Sequence, residues 1–432
     1  MRYRGWRGGG LRCSSLPRAQ PLHLVWFVVA AACDQSAESS LPGGVPFLER
    51  DSAGVVVATT LGTRARAPIG WAVDTVPEYQ VGEMAGEEPY LFSGVRGTQQ
   101  LSDGRVVVLD ETSCELRFFG TDGVFQERTG GTGEGPGEFR TSVRGCVLVS
   151  SPGTDSLRVF DGARLSFFDD RGRFSHRFPM LWRGEGVLDV VGVTEERALV
   201  ETRFFSMSEE EGLPREPSTA DFALLEFESL QAVWEGFFQG RQHYTIVNPS
   251  LPIPRVLWDI PFDILPDAAL GRDGFFLTLG ENQGPEILEY DTSGLLRRVI
   301  RLAEPVLAPS SDDLVKLVEL GLDPYAMPDT TRERITKVRL RRYGRVPLPK
   351  LMPVFSRLLV DEAGWLWAEL FRLDVRQPMR WLIFGPNGEG LGSVDMPANL
   401  EIWQIGGDFV LGVWEDEFGV EYVRRHALTG RR

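Results

Sequence analysis

The chain has 432 residues, 42% of them hydrophobic and 25% charged, with 48 Gly and 28 Pro. That composition belongs to a globular protein and excludes wholesale disorder, collagen-like chains and coiled coils. A net charge of −15 argues against nucleic acid as a partner. Glycine and proline at this density, with 26 Phe and 11 Trp, predict many short strands joined by turns.

Residues 1–32 carry five arginines (2, 4, 7, 12 and 18), no lysine and no acid. The apolar run Leu22–Ala32 follows, and at 1.5 Å per residue it spans about 16 Å, too short for a bilayer core of about 30 Å. A basic region, a short apolar core and small residues at its end make a secretory signal peptide. Ala30-Ala31-Ala32 lead directly into Cys33, and the segment resembles a bacterial lipoprotein signal. The resemblance implies cleavage before Cys33, lipidation of that cysteine, and an exported protein tethered to the cell envelope on its periplasmic or outer surface. Residues 34–45 are polar and small, and 33–48 reads as a flexible tether. Loss of the five arginines takes the mature chain to −15 − 5 = −20.

Strand-turn-strand units then recur along 49–429. The first is Leu101–Asp110 followed by Glu115–Phe125, with turn glycines 104 and 123 separated by 19 residues. A second copy holds Gly153 and Gly172, again 19 apart. Weaker matches follow at Glu195–Val200 with Ala223–Phe227, in a third unit over about 187–238 whose boundaries are poorly marked. The fourth and fifth copies are Asp273–Leu279 with Ile287–Leu295, and Leu359–Ala368 with Trp381–Gly388. A sixth is Gly406–Gly412 with Glu421–Arg424.

Two hairpins per unit mean four strands. One such twisted sheet cannot bury both faces, but a ring of them can. The expectation is an all-β chain, a six-bladed β-propeller of four-stranded antiparallel blades. The last copy ends after its third strand, and an extra strand stands ahead of the first copy at Gly70–Pro77. The segment 69–81 is therefore expected to complete the sixth blade and tie the termini together. One stretch, about 304–350, breaks the pattern with caps and helical spacing over Pro309–Gly321 and Thr330–Arg342. It predicts a small helical insertion between blades four and five. Cys114 and Cys146 are the cysteines of the repeat region. Sequence gives no distance between them, and the apolar run Cys146–Val149 favours buried free thiols over a bridge.

The run Thr129-Gly130-Gly131-Thr132-Gly133-Glu134-Gly135-Pro136-Gly137-Glu138-Phe139-Arg140 resembles the blade-connecting loop of six-bladed propellers related to NHL-repeat proteins of bacterial envelopes. Phe355–Trp367 and Asp51–Val55 are similar to that family too. The resemblance implies a fold and a binding platform rather than a particular activity.

The residues themselves offer few catalytic patterns. The glycine-rich loop lacks the Gly-Lys-Ser/Thr of a phosphate cradle, and Glu134 and Glu138 would repel phosphate, so its glycines read as a tight crossing between blades. His23, His176, His243 and His426 have no ligand spacing, and no metal site or catalytic triad is expected. Six-bladed propellers include calcium-dependent lactonases, so calcium in a metal-dependent hydrolase, with its site in the central channel, is the alternative reading. Asn248, Asn282, Asn387 and Asn399 are the asparagines it could use. No other cofactor is expected.

Arg96, Arg144 and Arg357 precede or open their blades at similar places. Three arginines at a channel mouth would grip a carboxylate or sulfate, and the competing reading pairs each with a loop acid such as Glu134, Glu138 or Asp361. In the insertion, Arg334, Lys337, Arg341 and Arg345 fall on one helix face. That basic stripe would meet anionic lipid or an acidic partner, or else pair with the protein's own acids. Together these readings point to a non-enzymatic, monomeric scaffold at the envelope, anchored to the membrane by lipid, that recognises a protein, peptide or glycan through loops on one face.

Overall fold

The computed structural model describes residues 37–38, 47–61, 66–140, 145–149, 151, 153–183, 185–186, 189–204, 219–239, 243–247, 255–259, 261–262, 266–279, 285–320, 328–344, 348–374 and 377–431. The signal segment, Cys33, Arg144 and Arg345 lie outside these residues.

Six four-stranded antiparallel blades form a propeller. Blade one comprises Val95–Gln100, Val106–Asp110, Glu115–Phe119 and Phe125–Gly130. Blade two runs from Val147–Leu148 to Phe174–Pro179, and blade three from Asp189–Val193 to Ala232–Gln239. Blade four runs from Ala268–Leu270 to Leu296–Ala303, and blade five from Phe355–Val360 to Gly390–Met396. Blade six has Leu400–Ile405, Phe409–Glu415 and Glu421–Thr429 from the C-terminal end of the chain. Its outer edge comes from the N-terminal side, where Ala72–Val73 and Tyr79–Val81 both pair antiparallel with Glu421–Thr429.

Alternation along the strands explains why the ring closes. In blade one, Val106, Val108 and Phe119 pack against Leu411 and Val413 of blade six. The intervening Val107, Leu109, Leu116 and Phe118 pack against Leu157 and Val159 of blade two. Side chains that alternate along a strand thus serve two neighbours. The same division gives an apolar cluster between every adjacent pair of blades, including four with five, five with six and six with one. Six blades with six interfaces make a ring; an open row of six would have five.

The tight turns follow one recipe. An aspartate at the end of a strand accepts from the backbone N–H groups two and four residues on, and a glycine sits between them in the left-handed region. Asp169 accepts from Arg171 and Arg173 around Gly172 (φ 68°), and Asp361 accepts from Ala363 and Trp365 around Gly364 (φ 85°). The 130–139 loop folds back on itself in a similar spirit. Gly133 N–H donates to Phe139 O, Phe139 N–H donates to Gly131 O, and the loop drives Phe139 into the interface between blades one and two. A Cβ on Gly130 would stand 2.8 Å from both Cys114 O and the Phe139 ring. These contacts give the loop glycines the structural role expected of them.

Three features depart from the sequence reading or extend it. Cys114 and Cys146 are bridged, 5.7 Å apart at Cα, rather than free thiols. The hairpin turn before Glu115–Phe119 and the entry to blade two meet at the inter-blade core, a proximity that spacing along the chain does not encode. Blade four is extended by the hairpin Phe47–Ser52 and Val55–Leu61, whose second strand runs parallel to Leu296–Ala303. The insertion after Ala303 holds α1 (Ser311–Leu320) and α2 (Asp329–Tyr343).

Candidate functional site

The strand directions divide the propeller into two unlike faces. At the end where the inner strands finish, every described turn is short, as at 101–105, 169–173, 361–365 and 385–389. At the end where the inner strands begin lie 82–94, the 131–140 loop, and the segments 304–320 and 328–344 with both helices. We call these the short-turn and long-loop faces.

Near the short-turn face, the inner strands of blades one, two, five and six meet around a small cavity. Thr98, Gln99, Leu148, Glu362, Trp403 and Gln404 line a cavity of about 30 Å³, room for about one water. Gln404 ties blade six to its neighbours. It donates to Gln100 O and to Glu362, and accepts from Gln100 N–H.

The long-loop face opens between blades five and six into a cavity of about 440 Å³. Arg357, Glu369, Arg372, Trp381, Glu401 and Asp416 are among its lining residues. Arg357 lies in the inner strand of blade five, where a bulge between Phe355 and Arg357 interrupts the register. Its guanidinium stands 5.9 Å from the Trp403 ring, and no carboxylate among the described residues lies within ion-pair distance of it. Behind it, Asp267 accepts from Leu358 N–H at 2.5 Å. Burial pushes the Asp267 carboxyl up to about 7; the Leu358 N–H and the Arg357 charge oppose that rise. Burial also raises Glu369 above the usual carboxylate range, against the charges of Arg372 and Arg357. Trp381 is fully buried and its indole N–H has no acceptor. A second cavity, of about 650 Å³, continues from Arg372 between α1 and the 371–377 loop.

The arrangement therefore supplies one unpaired cation, an orphaned indole donor and two carboxyl groups displaced toward neutrality, at a cavity lined mostly by strands of blades five and six. Such a set can bind a polar ligand. Among the described residues, no three His, Cys, Asp or Glu side chains come together at a spacing that would hold a metal ion. Asn387 caps its own turn through Glu389 N–H, while Asn248 and Asn282 fall outside the described residues.

The anticipated arginines fare differently. Arg357 lines the cavity. Arg96 is exposed and lies 3.5 Å from Glu111, an acid other than those anticipated. Arg144 falls outside the described residues, so the convergence of three arginines is not seen. Asp361 instead pairs with Arg431. Arg334, Lys337 and Arg341 stand exposed on one side of α2. The sequence reading missed Asp267, Glu369 and Trp381. Asp267 sits in an unmarked Pro-Asp-Ala step, and Trp381 reads as ordinary core.

No family model matches the chain, and no curated protein matches it. Among solved structures it is similar to a member of the DUF4221 family from Bacteroides vulgatus (9% identity, TM-score 0.44, covering 83% of this chain and 99% of that one). It is similar also to a virginiamycin B lyase from Staphylococcus aureus (9%, 0.36, 83% and 99%). A third is a gluconolactonase from Xanthomonas campestris (10%, 0.34, 78% and 87%). Likeness at this level identifies neither a family nor an activity.

Proposed function

We propose that this chain is exported, tethered by a lipid on Cys33, and acts as a non-enzymatic binding propeller whose partner docks on the long-loop face. Kinship with NHL-like propellers of bacterial envelopes is part of the reading and rests on the 129–140 loop. The observation that carries the docking face is the asymmetry of connections, since a rigid ring gains nothing from extending one set of loops unless they meet something. Exposed apolar side chains support it. Met84 (67%) and Leu307 (75%) lie on its long connections, and Phe418 (70%) lies on the 416–420 hairpin turn of the same face. The Cys114–Cys146 bridge suits an oxidising compartment. A protein, peptide or glycan of the envelope is the partner class.

Site-specific photo-crosslinking in cells tests the reading. Photoreactive residues at Met84 and Phe418 should give adducts, and those at Val124 and Leu295 on the short-turn face should not. Adducts from the short-turn face alone, or from neither face, would overturn it.

A further inference from the structure

We propose that α2 is a membrane-contact surface that lays the long-loop face against anionic phospholipid. Its fifteen residues carry Arg332, Arg334, Lys337, Arg339, Arg341 and Arg342 against Asp329 and Glu333, in a chain whose net charge is −15. No residue of α2 is buried, so packing does not account for this composition. Arg332 pairs with Asp329, and Arg339 and Arg342 have partners of their own. Arg334, Lys337 and Arg341 stand exposed without an ion pair among the described residues, and Val338, 44% exposed, lies between them. At 100° per residue these four side chains fall within one third of the helix circumference, a cationic strip with Val338 along one edge.

The path of the chain says what meets that strip. Leu296–Ala303, the strand that leads into the helical insertion, pairs in parallel with Val55–Leu61, so that Ala303 stands beside Leu61. Phe47, where the hairpin begins, pairs with Thr60. The chain therefore enters the fold at the corner from which the insertion leaves, at the outer rim of blade four on the long-loop face. Ala37 pairs with Glu49 on this same hairpin. Three residues separate Cys33 from Ala37, four steps and at most about 14 Å of extended chain. A lipid on Cys33 would hold this rim at the bilayer, and the unpaired cations are what an anionic leaflet attracts. The orientation rests on the lipid-anchor reading; the affinity of α2 for the membrane does not.

The test uses the full mature chain with Cys33→Ser, which removes the anchor, in sedimentation with vesicles. Binding should appear with phosphatidylglycerol vesicles and be absent with phosphatidylcholine. Each basic residue contributes about fivefold at such a surface, so Arg334→Gln/Lys337→Gln/Arg341→Gln should weaken binding about 100-fold. Its thermal unfolding should match the parent, since none of the three is buried. Equal binding to neutral vesicles, or an undiminished triple variant, would overturn the proposal. So would full release by millimolar inorganic phosphate at constant ionic strength, which would indicate a free-anion site instead. Metabolic labelling of the unmodified chain with palmitate tests Cys33 separately. A chain that lacks the label but binds anionic vesicles through α2 would sink the anchor and spare the helix.

Discussion

Replacing Arg431 with Met should destabilise the propeller far more than loss of an ordinary surface arginine. Its guanidinium stands 2.8 Å from Asp361, with side-chain exposures of 10% and 0%. It also lies 5.2 Å from the Trp71 ring and 5.1 Å from the Trp365 ring, joining the C-terminus to the N-terminal segment and to blade five. Asp361 accepts from Trp367 Nε1 as well, so without Arg431 it stays a buried, uncompensated carboxylate. Breaking a pair of this kind costs about 3–5 kcal/mol, whereas an exposed pair contributes about 0–1 kcal/mol. Urea unfolding reads the difference as a lower midpoint at unchanged slope. Asp361→Asn in the same background removes the stranded charge and keeps an acceptor for Trp367, so the double variant should regain part of the loss. A loss below about 1 kcal/mol for Arg431→Met would refute the argument.

Three further outcomes follow from the interior. Replacing Cys114 and Cys146 with Ser opens a bridge with a sequence separation of 32, and the chain-entropy estimate for a loop of that length is about 4 kcal/mol, measurable by denaturant titration with and without reductant. His426 is buried with Nδ1–H donating to Asp74 O and no partner at Nε2, and burial holds its pKa below 6.5. The neutral ring is therefore the folded form, and stability should fall as pH drops below 6.5, a slope that His426→Gln should flatten in unfolding measured from pH 7.5 to 5.5. Asp267 has the opposite sign. With its pKa raised from 3.8 to about 7, the native state holds the extra proton, and stability should decline as pH rises from about 4 to about 7. Asp267→Asn should remove that decline, and an unchanged pH profile would contradict the assignment.

The ring was legible in the sequence because its turns are local. An aspartate, a glycine three residues on and an apolar run on either side are written within one hairpin, and Asp361–Gly364 or Asp291–Gly294 show it directly. The latch was legible for a related reason: blade six lacks a strand at one end of the chain and Gly70–Pro77 offers one at the other. In the structure that segment resolves into Ala72–Val73 with Tyr79–Val81 beyond it. The site was much less legible. Arg357 was singled out for its place ahead of a blade; Glu369 faces it across a hairpin of the same blade, but Asp267 comes from a loop end of blade four, which only the packing of blades brings to it. The disulfide was misread for the same reason, since Cys114 and Cys146 meet across an interface rather than along a strand.

Native-state hydrogen exchange at two backbone amides tests the closed ring most directly. Asp74 N–H donates to Ala427 O and Glu78 N–H donates to Arg425 O, each at 2.9 Å, and these bonds form only if the N-terminal segment completes blade six. A latched ring predicts that both exchange as slowly as amides in the Phe409–Glu415 strand. Exchange at unprotected rates while that strand stays protected would show a row of sheets with a free edge, and would contradict the account.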